Sequence, residues 1–316
     1  MKTQKQFKPK KNDVRFISDH FKLAGHLHLP DDFDANKKYP ALVFANPVSS
    51  VKEQVAGVYA KSMAEKGFVC LAFDPRNFGE SEGEPKRYKN NFLEAEDIKN
   101  AVSYIRTLSF VDKEKVGGVG ICSGGGFMGY AAISDLRIKA IALISPLTDH
   151  ADMLNYDPDF SAMKENLPYL IKMANDARQH YYETGEIMET DLILEAPEEA
   201  GQFLKEAADY YRTNRAGGST CPTYSPKGAF WSLEHTVSYS AARFADLLQF
   251  TPLLTVIGSK ATTKKSSLAF HDKANSEKEL VEIAGASHMA LYDTPEYVNQ
   301  VTEKLTSFFK SKLQLS

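Results

Sequence analysis

Three short runs, Ala41–Ala45 (ALVFA), Phe68–Phe73 (FVCLAF) and Val116–Ile121 (VGGVGI), are apolar at every position instead of every second one. A strand with apolar residues on both sides must be covered on both sides, which is the situation of parallel strands packed between helices. Helical patterns separate the runs, at about residues 54–66 and 95–108, and another helix is expected after Ser123. Further apolar runs at Ala140–Ser145, Pro252–Ile257 and Leu280–Ile283 continue the alternation, and Val298–Leu313 has the spacing of a closing amphipathic helix. Val14–Ser18 and Leu23–Leu29 differ: the second alternates apolar and polar residues, as an antiparallel edge with one wet face does. The pattern predicts an α/β fold with a mostly parallel central sheet flanked by helices.

From Pro146 to Phe250 the rhythm breaks. This stretch is rich in Tyr, Glu, Asp, Met and Ala and carries helical patterns where strand runs would be needed. Residues 193–212 read as an acidic helix pair, and Arg212–Gly228 as an irregular segment of Gly, Pro, Ser and Thr. An insertion after a sheet strand, on the edge where loops carry function, predicts a helical cap over a site. The alternative is an oligomerisation surface, as in a homodimer. The expected organisation is a flexible basic tail over 1–13, a core over 14–146 and 247–316, and a cap over 147–246.

Composition narrows the function classes. A formal net charge of -3 gives no basic footprint for nucleic acid, and the lysines of the first residues read as a solvated tail. No apolar stretch reaches membrane-spanning length and no secretory h-region follows the N-terminal charges. The three cysteines, Cys70, Cys122 and Cys221, are odd in number and widely spaced, which suggests no disulfide framework and favours a cytoplasmic, reducing location. There is no C-x-x-C, H-E-x-x-H or phosphate-binding glycine loop, so neither a metal nor a nucleotide cofactor is expected.

The chemistry concentrates in Gly118-Val119-Gly120-Ile121-Cys122-Ser123-Gly124-Gly125-Gly126, between a strand run and a helical run. Read as G-x-nucleophile-x-G, Gly120 and Gly124 flank Cys122. A strained strand-to-helix turn crowds the residues two before and two after the nucleophile, so glycine is favoured at both. The rival Ser123 would have Ile121 and Gly125 there, and isoleucine would crowd the turn. Cysteine is the better nucleophile by register and, once ionised, by chemistry. It needs a base, and His288 in Gly285-Ala286-Ser287-His288 follows the last predicted strand at the same sheet edge. His26 and His28 share a strand face and read as solvated; His180 and His235 fall in the insertion, His271 in a helix, and His20 and His150 carry no useful context. Cys70 reads as buried and inert, Cys221 as exposable, and Tyr181, Tyr182, Tyr210, Tyr211 and Trp231 as core of the insertion.

With these motifs the chain resembles the α/β-hydrolase superfamily, within it the dienelactone-hydrolase-like proteins that use a G-x-C-x-G elbow, and a subgroup that includes polyketide transferases. Asn46–Gln54 resembles the oxyanion loop, Asp74–Ser81 the D-x-R-x-x-G-x-S loop, and Gly285–Asp293 the histidine loop. The resemblance implies an α/β-hydrolase fold with a helical cap. It also implies acyl transfer through Cys122, with His288 as base and the Val48 and Ser123 N–H groups as oxyanion donors. The orienting acid of the family is usually an Asp after the seventh strand, but Thr255–Ala261 holds no carboxylate. Asp149 could supply it from an alternative position, against a helix-capping role or a Cys–His dyad. The early-loop glutamate of dienelactone hydrolases is replaced by Asn46-Pro47, so that particular specificity is not implied. The expected activity is cleavage of a small-molecule ester, lactone or thioester through a cysteine acyl-enzyme. Acyl or polyketide transfer by the same Cys–His pair and non-catalytic ligand binding are the alternatives.

Overall fold

The computed structural model describes residues 7–151 and 161–315. Its eight-stranded sheet has the order β1-β2-β4-β3-β5-β6-β9-β10. The strands are β1 Lys10–Ser18, β2 Phe21–Leu29, β3 Tyr39–Ala45, β4 Val69–Phe73, β5 Val111–Ile121, β6 Ile141–Ile144, β9 Leu253–Gly258 and β10 Lys278–Ile283. Among the described residues, the β1–β2 and β2–β4 pairings of this sheet are antiparallel and its other five are parallel.

The fully apolar runs are explained by two separate hydrophobic layers. Leu42, Phe44, Cys70, Ala72, Val119 and Ile121 join one, with α1 (Val55–Ala64) and the last helix. Ala41, Val43, Val69, Leu71 and Phe73 join the other, with α2 (Asn91–Ile105) and α3 (Ser123–Ser134). Successive side chains point to opposite faces, so a strand between two layers has no polar position. Each large side chain so buried contributes about 1.5–3 kcal/mol.

After β6 the chain leaves the sheet. Among the described residues this segment carries α4 (Ser161–Glu165), α5 (Leu167–Thr184), α6 (Gln202–Arg212), α7 (Leu233–Thr236) and a two-stranded antiparallel ribbon of β7 (Glu189–Asp191) and β8 (Lys227–Ala229). The chain re-enters the sheet at β9 and finishes with α8 (Lys264–Lys273), α9 (Ala290–Asp293) and α10 (Pro295–Lys312). Among the described residues no helix is long and apolar enough to cross a membrane.

Several local expectations are corrected. Strand β1 starts at Lys10, inside the expected 1–13 tail, because Lys10 to Asp13 pair in register with His26 to Leu29. The expected helix pair at 193–212 is one helix from Gln202, since Pro197 opens a turn with Ala200 N–H donating to its carbonyl. His26 and His28 are buried, and so is Cys221. The tyrosines divide: Tyr210 and Tyr211 are buried, whereas Tyr182 is exposed.

Candidate active site

Cys122 sits between β5 and α3 with φ 55° and ψ -124°, a conformation that ordinary residues rarely adopt. The turn leaves no space around it. A Cβ on Gly120 would lie 2.4 Å from the Gly124 carbonyl oxygen, and one on Gly124 would lie 2.3 Å from the Ala45 oxygen and 2.4 Å from that of Asn46. Glycine at 120 closes the elbow on itself, and glycine at 124 seats it against the loop after β3. Val48, in that loop, and Ser123, the first residue of α3, both line the cavity above the thiol. Among the described residues the Val48 N–H has no acceptor, and the Ser123 N–H favours the ionised form of the neighbouring Cys122 thiol. Burial pushes the Cys122 thiol up; the Tyr292 hydroxyl, the Ser123 N–H and hydroxyl, and the Lys89 charge pull the other way.

His288 lies in the loop after β10 and is buried. Its Nδ1 is 2.7 Å from the Thr263 hydroxyl, and its Nε2 is 3.1 Å from the Tyr292 hydroxyl. Tyr292, in α9, also lies beside the Cys122 thiol, where its hydroxyl favours the ionised sulfur. Phe203 of α6 packs edge-on against the imidazole with ring centroids 5.0 Å apart. Burial lowers the His288 pKa to about 3, with no charged group among the causes.

Asp149 lies elsewhere in the network: its Oδ2 accepts a 2.6 Å hydrogen bond from Ser240, and the two residues form an isolated antiparallel bridge. It is not among the described groups acting on His288. The Nδ1 side of the histidine faces a neutral hydroxyl instead. Thr263 comes from the loop between β9 and α8, the place after the seventh strand where the resemblance implied an acid. In sequence Thr263 is one hydroxyl residue among several in this loop, and nothing there marks it as the partner of His288.

Above the elbow is a cavity of about 370 Å³. Its walls are mainly apolar, including Leu147, Leu170, Leu192, Ile193, Phe203, Phe230 and Met289. Polar groups gather near Cys122: Lys89, Ser123 and His150. The Ser123 hydroxyl is 2.9 Å from His150 Nε2, and burial, with the Lys89 charge, lowers the His150 pKa to about 3. Lys89 pairs with buried Glu94 at 2.5 Å and lies over the Phe127 ring at 4.6 Å. Neither Lys89 nor His150 was legible as a pocket residue, because each stands alone in sequence. The inserted segment is tied down over this cavity. Arg215 donates to both Asp293 oxygens at 2.8 and 2.6 Å, Gln54 Nε2 donates to the Ala216 carbonyl at 2.7 Å, and the Tyr211 and Ser50 hydroxyls are 2.9 Å apart.

Asp74 and Arg76 organise neighbouring loops instead of lining this cavity. Asp74 accepts from Lys52 Nζ at 2.9 Å and from the Lys52 and Glu80 N–H groups, while Arg76 pairs with Asp97 and Asp19. Among the described residues no cluster of three His, Cys, Asp or Glu side chains could hold a metal ion.

Residues 50–295 match the family model of the alpha/beta hydrolase fold. The chain belongs to the alpha/beta hydrolase fold family. An uncharacterized protein of Escherichia coli (strain K12), YcjY, is 35% identical over 96% of this chain and 99% of its own length. A thiohydrolase of Aspergillus aculeatus, aneE, is 35% identical over 48% of this chain and 46% of its own. A polyketide transferase of Penicillium sp, GrgF, is 31% identical over 44% of this chain and 46% of its own. Its crystal structure superposes with a TM-score of 0.80 across 96% of this chain and 99% of GrgF, at 21% identity. The chain is thus an alpha/beta hydrolase whose relatives include proteins named for hydrolysis and for transfer. Its chemistry must be argued from its own site.

Proposed function

We propose that this alpha/beta hydrolase cleaves an ester, lactone or thioester through an acyl-enzyme on Cys122. The observation that carries the reading is the thiol on a strained elbow, at the floor of an apolar cavity, with Val48 and Ser123 beside it and His288 one hydroxyl away. The thiolate attacks the acyl carbonyl, and the Val48 and Ser123 N–H groups receive the oxyanion. The tetrahedral intermediate expels the alcohol or thiol, which takes a proton from His288, and water activated by His288 then releases the acid. Desolvation keeps His288 neutral near pH 7, the form a base requires. The inserted segment acts as a cap, and its apolar lining suits the acyl chain. Thioesters are the favoured substrates, because a thiol nucleophile exchanges readily with a thiolate leaving group and a thiohydrolase stands among the relatives. The family acid role falls to Thr263 by position, leaving Asp149 to hold Ser240 in the cap.

The test is turnover of p-nitrophenyl and acyl-thioester substrates. Cys122→Ala should abolish it and should leave no acyl adduct in the mass spectrum. Loss of turnover in Ser123→Ala with full activity in Cys122→Ala would overturn the assignment. Transfer is the second reading, favoured by the apolar cavity that limits water and by the likeness to GrgF. It is distinguished by an acyl–Cys122 adduct that persists until an amine or alcohol is added.

A further inference from the structure

Tyr292 connects the two groups that the proposed chemistry needs to join. Its hydroxyl lies 3.1 Å from His288 Nε2 and beside the Cys122 thiol, near enough for each to shift the other's ionisation. All three side chains are buried. The hydroxyl is held in place from several sides. Tyr292 belongs to α9, whose Leu291 carbonyl accepts a 2.6 Å hydrogen bond from Tyr59 and whose Asp293 is clamped by Arg215. Its ring packs edge-on against Tyr210 at 5.1 Å. A phenol fixed between a nucleophile and its base is more than packing.

We propose that the Tyr292 hydroxyl relays the thiol proton of Cys122 to Nε2 of His288, making it a catalytic residue of the acylation step. This inference rests on the cysteine acyl-enzyme reading given above. In the tautomer that the relay needs, His288 Nδ1–H donates to the Thr263 hydroxyl oxygen, so Nε2 carries the lone pair. The Cys122 S–H bond breaks and its proton passes to the Tyr292 oxygen. The O–H proton that Tyr292 carried passes to Nε2. The products are a thiolate, a neutral tyrosine and an imidazolium; no oxidant, reductant or other reactant is needed. Burial holds the phenol well above its usual range, so a tyrosinate is not an intermediate and the two protons move together. On collapse of the tetrahedral intermediate the imidazolium returns a proton to the Tyr292 oxygen while the Tyr292 O–H proton passes to the departing alkoxide or thiolate, leaving a neutral tyrosine, a neutral His288 and the acyl-enzyme.

The arrangement also explains how a base with a neutral partner suffices. A direct Cys–His contact would favour a standing thiolate–imidazolium pair, which burial disfavours on both sides. A relay keeps both groups neutral at rest and separates charge only when substrate and oxyanion donors are present.

The experiment is pre-steady-state release of p-nitrophenol in mixtures of H2O and D2O. In the wild type, two protons in flight give a bowed dependence of acylation rate on deuterium fraction. Tyr292→Phe keeps the ring and removes only the oxygen; acylation should slow about 10²-fold, the order general acid–base catalysis supplies, and the bow should disappear. Wild-type acylation rate in Tyr292→Phe, or a linear dependence in the wild type, overturns the relay. Should Tyr292→Phe fail to fold, 2,3-difluorotyrosine installed at 292 keeps the hydroxyl and makes it more acidic. The acylation rate must then shift, and an unchanged rate overturns the proposal. Cys122→Ala in the same assay separates the two claims. If it still releases product in a burst, the cysteine reading fails; if it is inactive while Tyr292→Phe is unaffected, only the relay fails.

Discussion

Gly124→Ala tests whether the elbow and the loop after β3 form one oxyanion site. The added methyl would stand 2.3 Å from the Ala45 oxygen, 2.4 Å from the Asn46 oxygen and 2.6 Å from the Ala45 carbonyl carbon. All three are backbone atoms, so no side-chain rotation relieves the overlap. Restoring ordinary contact requires α3 and the loop to separate by roughly 1 Å. Such overpacking costs about 1–3 kcal/mol of stability. The larger effect should fall on turnover, because the same movement carries Val48 away from Ser123. A displacement of about 1 Å can cost ~10²-fold, and loss of one oxyanion donor ~10²–10³-fold. Gly129→Ala is the control: five residues further along α3, its methyl would first meet the Phe270 ring, a side chain, at 2.9 Å. The assay is kcat and KM for a p-nitrophenyl ester beside a thermal melt. Gly124→Ala should lose kcat about 10²–10³-fold with little change in KM, and Gly129→Ala should lose stability but keep kcat. A folded Gly124→Ala with wild-type kcat would refute the assignment of Val48 and Ser123 as partners.

Thr263→Val keeps the shape and removes the hydroxyl from His288, leaving a buried Nδ1 unpartnered; about 1–3 kcal/mol, or roughly 5- to 150-fold in kcat, should be lost. Thr263→Asp should raise the His288 pKa from about 3, so the acid limb of the kcat/KM profile should move to higher pH; an unmoved limb counts against Thr263 as the orienting group. Lys89→Met leaves Glu94 buried without its counter-charge and should cost about 3–5 kcal/mol. Burial already raises the Glu94 pKa, so its carboxylate protonates as pH falls, and the penalty should be smaller at pH 5 than at pH 8 in urea melts. With Cys122 pushed up and His288 neutral, iodoacetamide should label Cys122 slowly at neutral pH, about tenfold faster for each unit up to pH 9 by peptide mapping; a plateau below pH 7 would instead indicate a standing ion pair.

The sheet was legible because its physics is local. Runs such as ALVFA are apolar throughout only if helices cover both faces, and Gly120 and Gly124 announce a turn too tight for side chains. The register of those glycines favours Cys122 over Ser123, and the backbone packed around them supplies the reason each glycine is needed. The N-terminal boundary was less visible. Lys10 to Asp13 look like tail until paired against β2, since an edge strand with one wet face can carry lysine and asparagine.

The surroundings of the thiol followed a different rule. Thr263, Tyr292, Lys89 and His150 come from four separate segments, and nothing near Lys89 or His150 in sequence marks it as a site residue, while the histidine loop that holds Tyr292 does not reveal what its hydroxyl touches. Charge gives no guide there, because the fold sets a neutral hydroxyl against His288 Nδ1 and burial lowers the histidine's pKa. The sequence by itself determined the alternation of strands and helices, the strained turn and the thiol at its apex, because these depend on residues a few positions apart. Only tertiary structure decided what touches that thiol and its histidine. Those contacts form where loops from distant strands meet under the inserted segment, and their geometry depends on how the whole sheet edge packs.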